Sequence, residues 1–251
     1  TSHAASGLFR HTLLFPTPLV DLPPVTSSQL RGVLFDMDGT IIDSEPYWMR
    51  AERELVESFG GTWGEQQAYA LVGSGLWNSA SLLISAGVEL EHEVIIDKLS
   101  ARVREQISES VPWRPGAREL MAEILQAGLP MALVTMSIGL NARAVSAALD
   151  HELGQKVFSA IISADDVERP KPDPEAYLAG AAAIGVDTSD TLSFEDSSYG
   201  AASAFSAGSI TIGIPLHVEI PQGSTHEQWE SMAGTGLSDL REAFGRHRSA
   251  A

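Results

Sequence analysis

Short apolar, β-branched runs recur along the chain at 32–35, 130–134, 160–163, 191–194 and 209–214. Runs this short, with no polar alternation, predict strands buried on both faces. Between most of them the apolar positions fall at helical spacing. Leu120, Ile124 and Leu125 share one face of a predicted helix over 117–127, and similar segments lie over 140–149, 174–184 and 201–207. Each closes near a glycine (Gly128, Gly154, Gly185 and Gly208), the residue that most readily takes a left-handed C-terminal turn. Strand and helix in alternation predict an α/β protein with a parallel, doubly wound, Rossmann-like sheet.

The interval from Glu45 to Val111 breaks this rhythm. Its pattern predicts helices over 46–59, 65–72, 77–86 and 91–109, and no strand. An all-helical insertion after the first strand would hang over that strand's carboxyl end, where active sites of α/β sheets lie. The expected organisation is a flexible segment over 1–29, a catalytic core over 30–45 and 112–251, and a small α-helical cap over 46–111. Pro23-Pro24 would stiffen the lead-in.

Charge narrows the partners. The 251 residues carry 16 basic and 33 acidic side chains, a net charge of -17. That surface repels nucleic-acid phosphates and anionic lipid, so neither is expected. A phosphorylated ligand would need local positive charge, from a metal or from a few Lys and Arg. The absence of cysteine excludes disulfides, thiolate metal sites and thiol nucleophiles, and fits a reducing, cytoplasmic setting. No apolar run reaches the roughly 18 residues of a membrane span. No helix carries a sustained heptad, so a coiled-coil dimer is unsupported and a monomer is expected.

Candidate chemistry clusters at the strand ends. The first strand runs into Asp36 and Asp38, the second into Thr135 and Ser137, and the fourth into Glu195 and Asp196. Lys171 follows the third, in Arg169-Pro170-Lys171-Pro172. In a parallel sheet these ends share one edge. Hard oxygen donors from Asp36, Asp196 and Glu195 suit Mg²⁺, which would answer why two acids end a buried strand. Lys171 adds a second cation, and Thr135 can donate to phosphate. Asp36 can attack phosphorus as a nucleophile, while Asp38 protonates the leaving oxygen and then deprotonates water. The bland readings are a strand-end turn for Asp36 and Asp38, helix capping for Thr135, Glu195 and Asp196, and a solvated loop for Lys171. Trp48, Trp63 and Trp77 are expected to pack the interior of the cap.

Taken together, Asp36-Met37-Asp38-Gly39-Thr40, Thr135, Lys171 and Glu195-Asp196 resemble, in order and approximate spacing, the four motifs of the haloacid dehalogenase superfamily. The run Asp43-Ser44-Glu45-Pro46-Tyr47-Trp48 is similar to the branch of β-phosphoglucomutases and sugar-phosphate phosphatases, most of all to hexose- and hexitol-phosphate phosphatases. The resemblance implies an aspartyl-phosphate intermediate. It also implies Mg²⁺ held by Asp36, the main-chain carbonyl of Asp38 and Asp196, with Glu195 as a further candidate ligand. Trp48 stands where the mutase has a His, and Leu76 aligns with its cap Arg, which favours hydrolysis over mutase chemistry. Met136 and Pro170 also depart from the usual motif residues. The expected function is Mg²⁺-dependent hydrolysis of a small phosphorylated metabolite, a sugar or polyol phosphate. The rivals are a hexose-phosphate mutase, a haloacid dehalogenase and a non-catalytic phosphate-binding regulator.

Overall fold

The computed structural model describes residues 29–71 and 75–248. The expected lead-in over 1–29 lies outside the described residues apart from Gln29, as does most of the Gly73-Ser74-Gly75 loop. Six parallel strands form one sheet: β1 (Gly32–Phe35), β2 (Met131–Val134), β3 (Ala160–Ile162), β4 (Thr191–Glu195), β5 (Ile210–Gly213) and β6 (Glu227–Gln228). Their order is β3-β2-β1-β4-β5-β6. The direction of winding therefore reverses between β1 and β4, and a crevice opens at their carboxyl ends.

Alternate residues of the central strands face opposite layers, as strand geometry requires. Val33 and Phe35 join one buried cluster, while Leu34 joins the other. The first layer includes α5 (Ala117–Gln126), α6 (Gly139–Leu153) and α9 (Leu237–Arg248). The second is built from α7 (Glu175–Ala183) and α8 (Ser198–Ser206). Phe35 stacks on Phe194 across the sheet, with ring centroids 5.2 Å apart. Each such fully buried side chain stabilises the fold by about 1.5–3 kcal/mol.

Between β1 and β2 lie four helices: α1 (Glu45–Ser58), α2 (Glu65–Tyr69), α3 (Leu76–Ser85) and α4 (His92–Glu109). No strand interrupts them among the described residues. Pro46 sits in the first turn of α1, where its missing N–H costs nothing. Ala51 and Val56 of α1 and Leu99, Val103 and Ile107 of α4 are buried in the first cluster. Tyr47 Oη donates to the Ser110 carbonyl (2.9 Å), and Gln106 Nε2 donates to the Tyr47 carbonyl (2.9 Å). Arg104 of α4 donates to Asn141 Oδ1 (2.6 Å), which joins the insertion to the first turn of α6.

Most elements lie where the pattern places them, with small shifts. α6 runs four residues beyond 149, to Leu153, and α8 begins at Ser198 rather than 201. Here Ser197 is the N-cap, and its hydroxyl accepts from the Gly200 N–H (3.1 Å). α2 stops at Tyr69, short of 72. β6 and α9 were not expected from the strand and helix runs. Trp63 is buried as expected, whereas Trp77 is largely exposed and stacks on His92.

Candidate active site

Register assembles the site. Phe35 is level with Leu133 on one side and Phe194 on the other. One residue further along each strand brings Asp36 beside Val134 and Glu195. The Asp36 N–H still donates to the Phe194 carbonyl (3.1 Å), so the acid is fixed at the end of the ladder. The chain then turns at Gly39 (φ +82°), whose N–H donates to the Ile42 carbonyl (2.7 Å). A Cβ at Gly39 would stand 2.0 Å from Asp196 Oδ2. Glycine is required there twice, for the positive φ and for the close approach.

Lys171 crosses the crevice from the segment after β3. Its ammonium donates to Asp36 Oδ1 (2.8 Å), Glu195 Oε1 (2.6 Å) and the Val134 carbonyl (2.9 Å). All three donor positions are used, and the side chain is 5% exposed. Burial alone would lower its pKa, but the charges of Asp36 and Glu195 outweigh burial and hold it above the ordinary lysine value. Lys171 is therefore a fixed cation, not a solvated loop residue.

Asp38 is held differently. Ser44 Oγ donates to its Oδ1 (2.5 Å) and Ser137 Oγ to its Oδ2 (2.7 Å). Burial raises its pKa against the opposing pull of these hydroxyls. A carboxyl that keeps its proton more readily suits a proton donor. Thr135 is buried, and its Oγ1 accepts from the Ser137 N–H (3.0 Å). It does not cap α6, whose N-cap is Ile138.

Glu195 is fully buried. Besides Lys171, its Oε1 accepts from Tyr177 Oη (2.6 Å), and its Oε2 from Ser197 Oγ (3.2 Å). Burial, then Asp36, raises its pKa, with Lys171 opposing. α8 passes so close that a Cβ at Gly200 would lie 2.0 Å from the Glu195 carboxylate. Asp36, Glu195 and Asp196 each bring a carboxylate oxygen within 4.8 Å of the others. Burial and the charges of Asp36 and Glu195 push Asp196 up to about 8, against Lys171 and Arg114. The cluster thus holds more negative charge than its two neighbouring cations neutralise. An all-oxygen set with this charge excess fits a hard divalent cation such as Mg²⁺.

Two residues of this site have no strand-end signal in the sequence. Tyr177 lies mid-helix in α7 and reads as an apolar packing residue, yet its hydroxyl orients Glu195. Its pKa lies well above the ordinary tyrosine value, from burial first and the nearby acids next. Arg114 is buried in the loop before α5, and its guanidinium donates to the Gly39 and Ile214 carbonyls. It pins the turn that carries Asp38. A surface hollow of about 710 Å³ lies along residues 215–228. Its His226 accepts from the Thr211 N–H and its Glu227 is paired with Arg246 and His247, which leaves Glu219 as the other acid lining it, with no cluster like that at the strand ends.

A family model for haloacid dehalogenase-like hydrolases matches residues 33–214, which include every strand-end residue described above. The chain belongs to this family of hydrolases, in its branch of carbohydrate phosphatases. Hexitol phosphatase B of Escherichia coli K12 is 30% identical over 227 residues, covering 86% of this chain and 96% of that protein. Fructose-1-phosphate phosphatase YqaB of the same strain is 28% identical over 186 residues, covering 74% and 96%. A crystal structure of a CbbY variant from Rhodobacter sphaeroides with xylulose-1,5-bisphosphate superposes with a TM-score of 0.70. It is 25% identical and covers 84% of this chain and 99% of that one.

Proposed function

We propose that the protein is a Mg²⁺-dependent phosphatase that hydrolyses a small sugar or polyol phosphate through an aspartyl-phosphate at Asp36. The observation that carries this reading is the division of labour between the two aspartates. Asp36 is held by an ammonium inside an acidic cluster, and Asp38 by two hydroxyls. Asp36, Glu195 and Asp196, with the main-chain carbonyl of Asp38, would hold the cation. Glu195 has only Oε2 to offer, shared with Ser197, because Oε1 serves Lys171 and Tyr177. When bound, Mg²⁺ would supply positive charge to the phosphoryl oxygens and to the acids around it.

The chain's own residues carry the steps. The Asp36 carboxylate attacks phosphorus, and the bond from phosphorus to the leaving oxygen breaks. Asp38 gives its proton to that oxygen, so the alcohol departs neutral. A water then attacks phosphorus, Asp38 takes its proton, and the bond to Asp36 breaks to release phosphate. Lys171 steadies the nucleophile throughout, and Thr135 with nearby N–H groups can donate to the phosphate. The helical insertion over 46–111 would act as a cap on the core formed by 30–45 and 112–251, excluding water and selecting the leaving group. A cysteine-free chain supports a cytoplasmic setting.

The test is phosphate release from a panel of hexose, hexitol and glycerol phosphates, with Mg²⁺ and with EDTA. Release is expected with Mg²⁺ only, and Asp36→Asn should lower it by at least roughly 1,000-fold. An unimpaired variant, or release unaffected by EDTA, would sink the mechanism. Conversion of β-glucose 1-phosphate to glucose 6-phosphate without phosphate release would move the assignment to the mutase.

A further inference from the structure

The start of α1 lies beside the catalytic Asp38. The helix starts directly after Ser44, whose hydroxyl holds Asp38. Its first residue, Glu45, lies close enough to His217, Asp43 and Asp38 to feel their charges. Glu52 follows seven residues later. Two helical turns bring it back to within about 20° of Glu45's direction, about 10 Å further along the axis. Glu54, which points off this face, pairs instead with Arg102 of α4.

Glu52 is 4% exposed, and its Oε2 has no hydrogen-bond partner among the described residues. Trp63, in the segment before α2, is 8% exposed, and its indole Nε1 likewise has none. The two groups are neighbours. The indole N–H acts on the Glu52 carboxyl and favours its charged form, yet stands outside hydrogen-bonding geometry. Burial first, then the charge of Glu45, lifts Glu52 to about 7. An unpaired buried acceptor beside an unpaired buried donor is costly, and buried polar groups are ordinarily satisfied.

We propose that Glu52 and Trp63 form a recognition site for a hydroxyl on the substrate's leaving group. The Glu52 carboxylate accepts the hydroxyl hydrogen, and the Trp63 N–H donates to the hydroxyl oxygen. This deepens the phosphatase reading and rests on it. A hydroxyl is the chemistry that fits, because it donates and accepts at one atom. An ammonium group would leave the indole N–H unpaired, and a second phosphate would meet the charge of Glu52. The separation along α1 also suits the substrate: with phosphorus at Asp36, a six-carbon polyol extended along the helix would carry its distal hydroxyls toward Glu52.

The experiment compares kcat/KM for a hexitol phosphate with kcat/KM for p-nitrophenyl phosphate, whose leaving group has no second hydroxyl. In Glu52→Leu and in Trp63→Phe the ratio of the two should fall by roughly 10- to 100-fold, mainly through KM for the hexitol phosphate. Trp63→Phe keeps the ring and removes only the indole donor, so it decides the matter if Glu52→Leu fails to fold. A ratio unchanged in the folded variants overturns the hydroxyl site. Wild-type protein that hydrolyses p-nitrophenyl phosphate but no polyol or sugar phosphate overturns it too, together with the sugar or polyol substrate class, and leaves the phosphatase chemistry at Asp36 standing. Wild-type protein that hydrolyses neither overturns the phosphatase reading itself.

Discussion

At the sheet edge, Asp36 and Glu195 share the Lys171 ammonium, Tyr177 adds a hydroxyl to Glu195, and Asp38 takes hydroxyls from Ser44 and Ser137. Two turns along α1, the Glu52 carboxylate and the Trp63 indole are also buried and lie near each other, but Glu52 Oε2 and Trp63 Nε1 make no hydrogen bond of good geometry. The two regions use burial differently. At the strand ends the charged groups are oriented by protein before any ligand arrives, which is how preorganised electrostatics work, although the buried Thr40 hydroxyl of the same turn has no hydrogen-bond partner. In the insertion the polar groups are left incomplete, which suits a place that a substrate finishes.

The sharpest way to break this contrast is to remove the shared cation. Lys171→Met should leave two buried acids unanswered and destabilise the protein by about 3–5 kcal/mol, read by urea unfolding in metal-free buffer. A variant as stable as wild type would mean that Asp36 and Glu195 do not depend on that charge. Next in size is a pH effect at Glu52. Its pKa is about 7 in the fold against 4.5 ordinarily, so the folded state binds the proton more tightly. That contribution is present in full below about 4.5 and is lost as pH rises through 7. Wild-type protein should therefore lose about 3 kcal/mol relative to Glu52→Gln between pH 4.5 and 8. A constant difference across that range would show that Glu52 titrates as an exposed acid does. The smallest expected effect is Tyr177→Phe. It keeps the ring, 5.0 Å from Lys171 Nζ, but removes one donor from Glu195. We expect a loss of about 1–3 kcal/mol by thermal unfolding, and no loss would show that Lys171 and Ser197 suffice for Glu195.

Much of this was legible in the chain. β1, β2, β4 and β5 are apolar runs buried on both faces, and such runs announce themselves without context. Asp36, Asp38, Thr135, Glu195 and Asp196 were legible because each follows or ends such a run, so parallel topology brings them to one edge, whereas Lys171 lies well past the end of β3 at Ile162 and was legible only from its Pro-flanked loop. Tyr177 and Arg114 were not. Tyr177 sits at a core position of α7, where an aromatic ring needs no further explanation. Arg114 sits in a loop whose tertiary partners, the Gly39 and Ile214 carbonyls, are 75 and 100 residues away in sequence. β6 is two polar residues long and exists only because β5 offers it an edge. α9 did carry a helical period at Leu237, Leu240, Ala243 and Phe244, all buried. The pairing of Glu52 with Trp63 depends on how α1 meets the segment before α2, which no local pattern encodes.

The hydrogen bond from Arg104 to Asn141 has a mechanical meaning. Asn141 lies four residues after Ser137, at the same end of α6, and Ser137 is one of the two grips on Asp38. If α4 swings outward to admit a substrate, it must let go of the helix end that also aims the proton donor. Were the insertion to move as a cap, entry to the crevice and the Ser137 grip on Asp38 would share one helix end.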